Sequence, residues 1–296
     1  MHIGVVYSRL RVEEKWLFKA LESREVSYER LLDSQAILQL DNDNGEWSRF
    51  DAIIIRSLST SRGLSIARVL NSFGIPTINS YLVSELCSDK VATSIALKNA
   101  GIPQPKSLLA FTVKGAIEAG ERLGYPYVLK PVVGSWGRLV SRINDRDAAE
   151  AIFEHRDVLG KYQHHIYYLQ QLIQKPGRDI RAFVIGDDTP VAIYRESEHW
   201  ITNTALGATA TTCEVTNELH DLCQRAATAV GGGVLAVDLL EDPDRGLLIN
   251  EINHTMEFHS TVPLTGVDIP GMIIEPVSYT HLRAHETRHD LVCRLL

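Results

Sequence analysis

The chain has 296 residues, 45% hydrophobic and 23% charged. That is the composition of a folded protein with room for two or three compact units around one site, and it excludes a disordered chain. Thirty Lys and Arg stand against 37 Asp and Glu, a formal charge of −7, so the global field attracts neither nucleic acid nor an anionic membrane. No apolar run approaches the roughly 20 residues that cross a bilayer. The opening Met1–Tyr7 lacks a charged leader and long apolar core, so a cytoplasmic location is expected. Cys87, Cys213, Cys223 and Cys293 lie far apart without a C-x-x-C pair, which suits a reducing compartment and disfavours a zinc knuckle.

In chain order, His2–Tyr7 reads as a short buried strand and Val12–Glu25 as a helix with Trp16, Leu17, Ala20 and Leu21 on one face. Asp51–Arg56 is a second strand, Leu64, Ile66, Val69 and Leu70 mark a helix, and Ile75–Ile78 is a third strand. That alternation predicts a small parallel sheet with helices on its faces, spanning 1–88. Gly101–Pro105 is a turn or linker signal. A central unit, 89–165, carries the helix Val113–Leu123, the strand Tyr127–Lys130, the glycine loop Gly134-Ser135-Trp136-Gly137, a strand Leu139–Ile143 and the helix Ala148–Val158. A third unit, 166–276, holds strands Tyr167–Ile173, Asp179–Ile185 and Val191–Arg195, the helix Glu218–Val230, and strands Val234–Leu240 and Leu247–Ile252. The fold class is α/β followed by α+β. The last stretch, 277–296, resembles over its first eleven residues the translation of a sequencing adapter, so a non-native tail replacing the natural end is expected. Its His281, His285 and His289 fall at i, i+4, i+8, a weak metal signal beside that reading.

Three groups carry candidate chemistry. Asp238 sits at the end of an apolar strand, and Glu251 and Asn253, two apart, leave one face of another. If those strands are neighbours across the Asp242–Gly246 turn, two carboxylates and an amide oxygen converge, hard donors suited to Mg²⁺; otherwise they only end strands at the surface. Lys130 closes an apolar strand four residues before the glycine loop, and Lys90 follows Asp89 at a helix start. Each lysine read alone is a solvated residue, while together with backbone N–H groups they suit a phosphate chain. No G-x-x-x-x-G-K-[ST] or G-x-G-x-x-G string is present, which argues against a P-loop or dinucleotide fold. Arg178, Arg181, Arg195 and the pair Asn203-Thr204 form the third group, either gripping an anion or pairing on the surface. His199, His254, His259 and Trp200 read as packing or solvated residues, and Ser135 has no triad partners at motif spacing.

Taken together, Leu86–Lys90, Tyr127–Pro131, Gly134–Leu139, Lys175–Arg181, His199–Thr204, Gly231–Asp238 and Asn250–Phe258 resemble the ATP-grasp ligases, within them the lysine-biosynthesis LysX group, which is similar to RimK. The resemblance covers essentially Met1 to Glu275. It implies the ATP-grasp architecture and a carboxylate–amine ligation: ATP phosphorylates a carboxylate to an acyl phosphate, and an amine displaces phosphate. In the family the carboxylate is the C-terminal glutamate of a small acidic carrier, LysW, and the amine is that of 2-aminoadipate or glutamate.

By position, the resemblance implies that Lys90 and Lys130 touch ATP phosphates, Gly134, Ser135, Trp136 and Gly137 form a lid, and Gln170, Gln171, Leu172 and Ile173 read adenine. Arg181 stands beside the phosphates, Arg195 and Asn203 face the acyl phosphate and amino acid, and Asp238, Glu251 and Asn253 hold Mg²⁺. Gln171 stands where the family is expected to show Glu, and the family's last helix is absent. Docking an acidic carrier requires a local basic patch, for which Lys175, Arg178 and Arg181 are the candidates. A homo-oligomer is left open. Two other readings remain: a RimK-like or glutathione-synthetase-like addition of glutamate to a protein or peptide tail, and a nucleotide-binding regulatory module without catalysis.

Overall fold

The structure, a computed structural model, describes residues 1–41, 45–134, 138–160, 165–202 and 207–275. Ser135, Trp136 and Gly137, Asn203-Thr204 and the tail 277–296 lie outside the described residues. Three sheets organise the rest.

The first is parallel, in the order β2-β1-β3-β4, from β1 (His2–Tyr7), β2 (Ser27–Leu32), β3 (Ala52–Arg56) and β4 (Thr77–Ile78). Helices α1 (Val12–Ser23) and α2 (Thr60–Ser72) connect them. The first helix stops two residues before the expected Glu25 because Glu25 itself takes a left-handed φ of 55°. β2 was not expected. It is an edge strand, and its Ser-Tyr-Glu-Arg-Leu-Leu is half-exposed throughout.

Helices α3 (Tyr81–Ser88) and α4 (Lys90–Asn99) then lead to a second, antiparallel sheet. Its order is β5-β8-β6-β7, from β5 (Ser107–Ala110), β6 (Tyr127–Lys130), β7 (Ser141–Ile143) and β8 (Tyr167–Gln171), with α5 (Val113–Leu123) and α6 (Arg146–Leu159) connecting strands. Tyr167–Gln171, expected to open the third unit, therefore pairs within the second sheet, and so the central layer extends past 165. β7 begins at Ser141 and not at Leu139, whose φ of 58° is left-handed.

The third sheet is antiparallel, β11-β10-β9-β12-β13. It comprises β9 (Arg178–Ile185), β10 (Asp188–Glu196), β11 (Thr209–Cys213), β12 (Val234–Asp242) and β13 (Gly246–Asn253), with α7 (Asn217–Ala229) between β11 and β12 and the short α8 (Thr261–Thr265) after β13.

Each face of this sheet has its own cover. Ile180, Ala182, Val184, Leu235, Val237 and Leu239 pack under α7, α3 and α4. On the other face Phe183, Ile185, Val191, Ile193, Val234 and Ala236 are covered by Leu17 of α1, Met256 and Phe258. Strand alternation makes these two apolar sets mutually exclusive. Asn79 ties the first sheet to the third: its side chain donates to the carbonyls of Val234 and His254 and accepts from Val234 N–H. Gly233, at φ +115°, leaves room for it, since a Cβ there would lie 2.2 Å from the Asn79 amide oxygen.

Gly120 of α5 is a second close approach. A Cβ would meet the ring of the fully buried Tyr127 at 2.6–2.7 Å, and a close-packed ring has nowhere to move. Gly120→Ala is therefore expected to destabilise the protein by about 1–3 kcal/mol in urea unfolding.

Candidate active site

Along one face of β9, β10 and β12 the residues change from apolar to charged. Phe183 and Ile185 share a face with Asp179 and Arg181, Val191 and Ile193 with Arg195, and Val234 and Ala236 with Asp238. The register sets the charges in opposition: Arg195 is opposite Asp179, Arg181 is opposite Asp238, and Asp238 is opposite Glu251. Opposite signs face each other from β10 to β9 and from β9 to β12, while Asp238 and Glu251 set two carboxylates side by side.

The contacts follow. Arg181 grips Asp238 with both arms, Nε to Oδ1 at 2.7 Å and a terminal nitrogen to Oδ2 at 2.8 Å. Arg195 donates through Nε to Asp179 Oδ1 at 2.6 Å and lies 3.2 Å from Asp238 Oδ2. Such bidentate and charge-assisted bonds are the strong ones. Asp238 is only 6% exposed. Burial opposes its charge, but Arg181 and Arg195 outweigh that and hold its carboxyl down to about 2. It is ionised throughout the physiological range.

The lysines approach from the other side. The Asp89 side chain caps α4 by accepting from the N–H groups of Val91 and Ala92, which fixes Lys90 in the first turn. Its ammonium donates to the carbonyl of Gly134 at 2.8 Å and sits 3.6 Å from Glu251 Oε1. Lys130, 8% exposed, ends β6 and donates to Asn250 Oδ1 at 2.9 Å. Burial pulls its ammonium down to about 8, against the attraction of Glu251. Asn250 reaches it because the β12–β13 register slips between Asp238 and Leu239, leaving Asn250 as the extra residue of a bulge.

Two clefts meet here. One is lined by Lys130, Gln170, Gln171, Leu172, Ile173 and Lys175. The other opens toward the first sheet, with Arg11, Ser59, Asn79, His254 and Glu257 among its walls and Gly134 at its edge. Arg181, Arg195, Glu251 and Asn253 line both. The structure thus brings together Lys90, Lys130, Gly134, Gln170, Gln171, Leu172, Ile173, Arg181, Arg195, Asp238, Glu251 and Asn253. Asn253 Nδ2 is 3.5 Å from Asp238 Oδ2. No cluster of three His, Cys, Asp or Glu is found among the described residues. The cation donors here are two carboxylates and one amide.

Some expectations change. Lys175, Arg178 and Arg181 do not form a basic docking patch. Arg178 is bidentate to Glu241 at 2.7 and 2.9 Å and stacked 3.8 Å over Tyr194, Arg181 is taken by Asp238, and Lys175 is held by Thr202 and Asp179. Their charge is neutralised within the fold. Gln171 Oε1 accepts from Arg245 at 3.0 Å. Asp179, Lys175, Thr202, Trp200 and Asn250 line the cleft with Lys130; of these, Lys175 was expected in a docking patch and Trp200 as a packing residue, and the other three were not expected in the site. Asp179 and Lys175 lay inside a motif already singled out, whereas Asn250 had no signal because a bulge is invisible in strand alternation.

Residues 3–86 match the LysX preATP-grasp domain and residues 87–277 the RimK-like ATP-grasp domain. The chain belongs to the RimK-like ATP-grasp family. It is 37% identical to the alpha-aminoadipate--LysW ligase LysX of Saccharolobus solfataricus, over 90% of this chain and 96% of that one. It is 35% identical to the glutamate--LysW ligase ArgX of Sulfurisphaera tokodaii, over 93% and 97%. A solved RimK-domain ATP-grasp protein from Sphaerobacter thermophilus superposes with a TM-score of 0.80 at 28% identity, covering 93% of this chain and 98% of that one. The D-alanine--D-alanine ligase of Bacillus anthracis complexed with ATP shares the fold, with a TM-score of 0.71 at 18% identity, covering 97% and 99%.

The expected architecture and class hold: this is an ATP-dependent carboxylate–amine ligase, and ATP-grasp ligases use ATP with a divalent metal. No helix among the described residues is long and apolar enough to cross a membrane.

We propose that Lys130 faces the phosphate chain. As pH rises through about 8 its ammonium loses the proton and with it the attraction for phosphate, so kcat/KM for ATP is expected to fall on the alkaline side. The pH profile of Lys130→Arg, whose guanidinium stays charged, is expected to lack that limb.

Proposed function

We propose that the ligase joins the α-amino group of 2-aminoadipate to the C-terminal glutamate carboxylate of a small LysW-like carrier, in lysine biosynthesis. The observation that carries the reading is the wall of Arg181, Arg195, Glu251 and Asn253 common to both clefts. ATP occupies the cleft of Lys130 and Gln170–Ile173, and the carrier's terminal carboxylate and the amino acid enter by the other. The γ-phosphoryl group and the carboxylate meet at that wall. Glutamate as the amine, in arginine biosynthesis, is the second reading, favoured by the comparable identity to the ArgX ligase.

A carboxylate resists an amine at neutral pH because its leaving group would be oxide. One carboxylate oxygen attacks the γ-phosphorus, ADP leaves, and the amine then adds to the acyl carbon and expels phosphate. The chain's contribution is positioning and neutralisation of charge, on which phosphoryl transfer mostly depends. Lys90 and Lys130 hold the phosphate chain, with Lys90 fixing the root of the lid through Gly134 O. Gln170, Gln171, Leu172 and Ile173 frame the adenine, and Gln171 does so as a neutral amide engaged with Arg245.

Arg181 and Arg195 stabilise the transferring group and the acyl phosphate, and Asn203, with the lid residues Ser135, Trp136 and Gly137, completes the site. Each arginine is already oriented by a carboxylate, which lowers the cost of reorganisation during the reaction. Asp238, Glu251 and Asn253 would hold Mg²⁺, for which two carboxylates and an amide oxygen are fitting hard donors. Bound there, the ion would neutralise charge on the phosphates. The cleft assigned to the amine carries the partly exposed carboxylate of Glu257, which pairs with Arg11 at 2.8 Å.

The units we assign are 1–88, 89–171 and 172–276, the second boundary moved so that β8 stays with its sheet. A cytoplasmic location follows from the biosynthetic role.

Incubated with ATP, Mg²⁺, carrier and 2-aminoadipate, the ligase is expected to release one ADP and one phosphate per amide, read by chromatography against carrier mass spectrometry. Release of AMP and pyrophosphate would contradict the activation step, and the mass added to the carrier names the amino acid. Glu251→Gln is expected to lower kcat at least about 100-fold with an unchanged circular dichroism spectrum.

A further inference from the structure

Asp179 is a carboxylate almost closed off from solvent, held by two hydrogen-bond donors and a nearby ammonium. It is 6% exposed and directly opposite Arg195 in the β9–β10 register. Oδ1 accepts from Arg195 Nε at 2.6 Å, Oδ2 accepts from Thr202 Oγ1, and Lys175 Nζ lies 3.7 Å from Oδ2. Thr202, 1% exposed, also receives a hydrogen bond from Lys175. Lys175 comes from the turn before β9 and Thr202 from the segment after β10, so one carboxylate gathers groups from three places in the chain. A bare carboxylate would repel a triphosphate. This one has both oxygens covered, and its neighbour Arg195 is the residue that faces the reacting groups.

Arg195 has five N–H donors in a rigid plane. With Nε fixed by Asp179, a terminal nitrogen reaches 3.2 Å from Asp238 Oδ2, and the residue lines both clefts. Remove the charge at 179 and the strongest counter-charge left to Arg195 is Asp238, already engaged bidentately by Arg181. The guanidinium would then turn into that pair and away from the shared wall.

We infer that Asp179 is a positioning residue for the ligation, fixing the plane of the Arg195 guanidinium at the junction of the two clefts. The inference rests on the reading of Arg195 given above. Asp179→Asn keeps the shape but loses the charge and the acceptor for Thr202. Turnover is expected to fall about 100-fold, the scale of a misplaced reacting group, while KM for ATP stays within about threefold, because Lys90 and Lys130 are untouched.

The test is a double-mutant cycle on the full chain, with D179N, R195M and D179N/R195M assayed at saturating carrier and amino acid and checked for fold by circular dichroism. A residue acting through Arg195 costs nothing more once Arg195 is gone, so the double variant should be no slower than R195M. A D179N enzyme within about threefold of wild-type kcat, or a double variant whose loss is the product of the two single losses, overturns the inference. R195M turning over at the wild-type rate removes the reading of Arg195 and this inference with it. A slow R195M beside a fast D179N removes the inference alone. Should D179N not fold, T202V withdraws one donor from the same carboxylate and goes through the same cycle. No added loss on the R195M background supports the inference, and a multiplicative loss overturns it.

Discussion

Opposition of charge between β9 and its neighbours β10 and β12 is the constraint on which the site depends. Buried ions persist only when paired, and the antiparallel register of β9, β10 and β12 supplies two pairs, Arg195 with Asp179 and Arg181 with Asp238, while Glu251 beside Asp238 finds its counter-charge in Lys90. The same face of the same strands is apolar a few residues away, where α1 and Phe258 cover it. One sheet face therefore serves both as part of the core and as the floor of an open cleft. No separate scaffold is needed to hold the charged residues, since the strands that carry them are anchored by Phe183, Ile193 and Ala236.

That arrangement also explains why two clefts share a wall. The first sheet docks against the third through Leu17, Asn79 and the buried Arg56, which donates to Glu14 and to the carbonyl of Met256. The second sheet approaches through Lys130 and Asn250. Between these two contacts the charged ends of β9, β10 and β12 form the floor that the two clefts share. On the proposed reading, substrates entering from opposite sides meet over the same arginines, which is what transfer between a nucleotide and a carboxylate requires.

Much of this was legible in the sequence, and what was not has a physical cause. Buried strands such as His2–Tyr7 and Tyr127–Lys130 announce themselves by unbroken apolar runs, and α5 begins at Val113 and ends at Leu123 as the sequence reading placed it. β2, β5 and β11 went unread, and each is an edge strand of its sheet. An edge strand bonds on one side only and is partly exposed, so its composition carries a weak pattern. The placement of β8 in the second sheet depends on pairing with β5 and β6, a long-range fact that local periodicity does not contain. In the site, Asp238, Glu251 and Asn253 were visible as oxygen donors at strand ends. The partners that define their state were not: Arg181 and Arg195 read as gripping an anion or pairing on the surface, and Lys175 and Arg178 as a docking patch, whereas in the fold each has a particular carboxylate against it.

In the proposed reaction an inert carboxylate becomes an acyl phosphate at the wall between the clefts. Carrier whose terminal carboxylate is labelled with ¹⁸O tests it most directly, with the released phosphate analysed by mass spectrometry after a single turnover. The account predicts one ¹⁸O in the phosphate for every amide formed. Unlabelled phosphate, or label recovered in AMP, would contradict it.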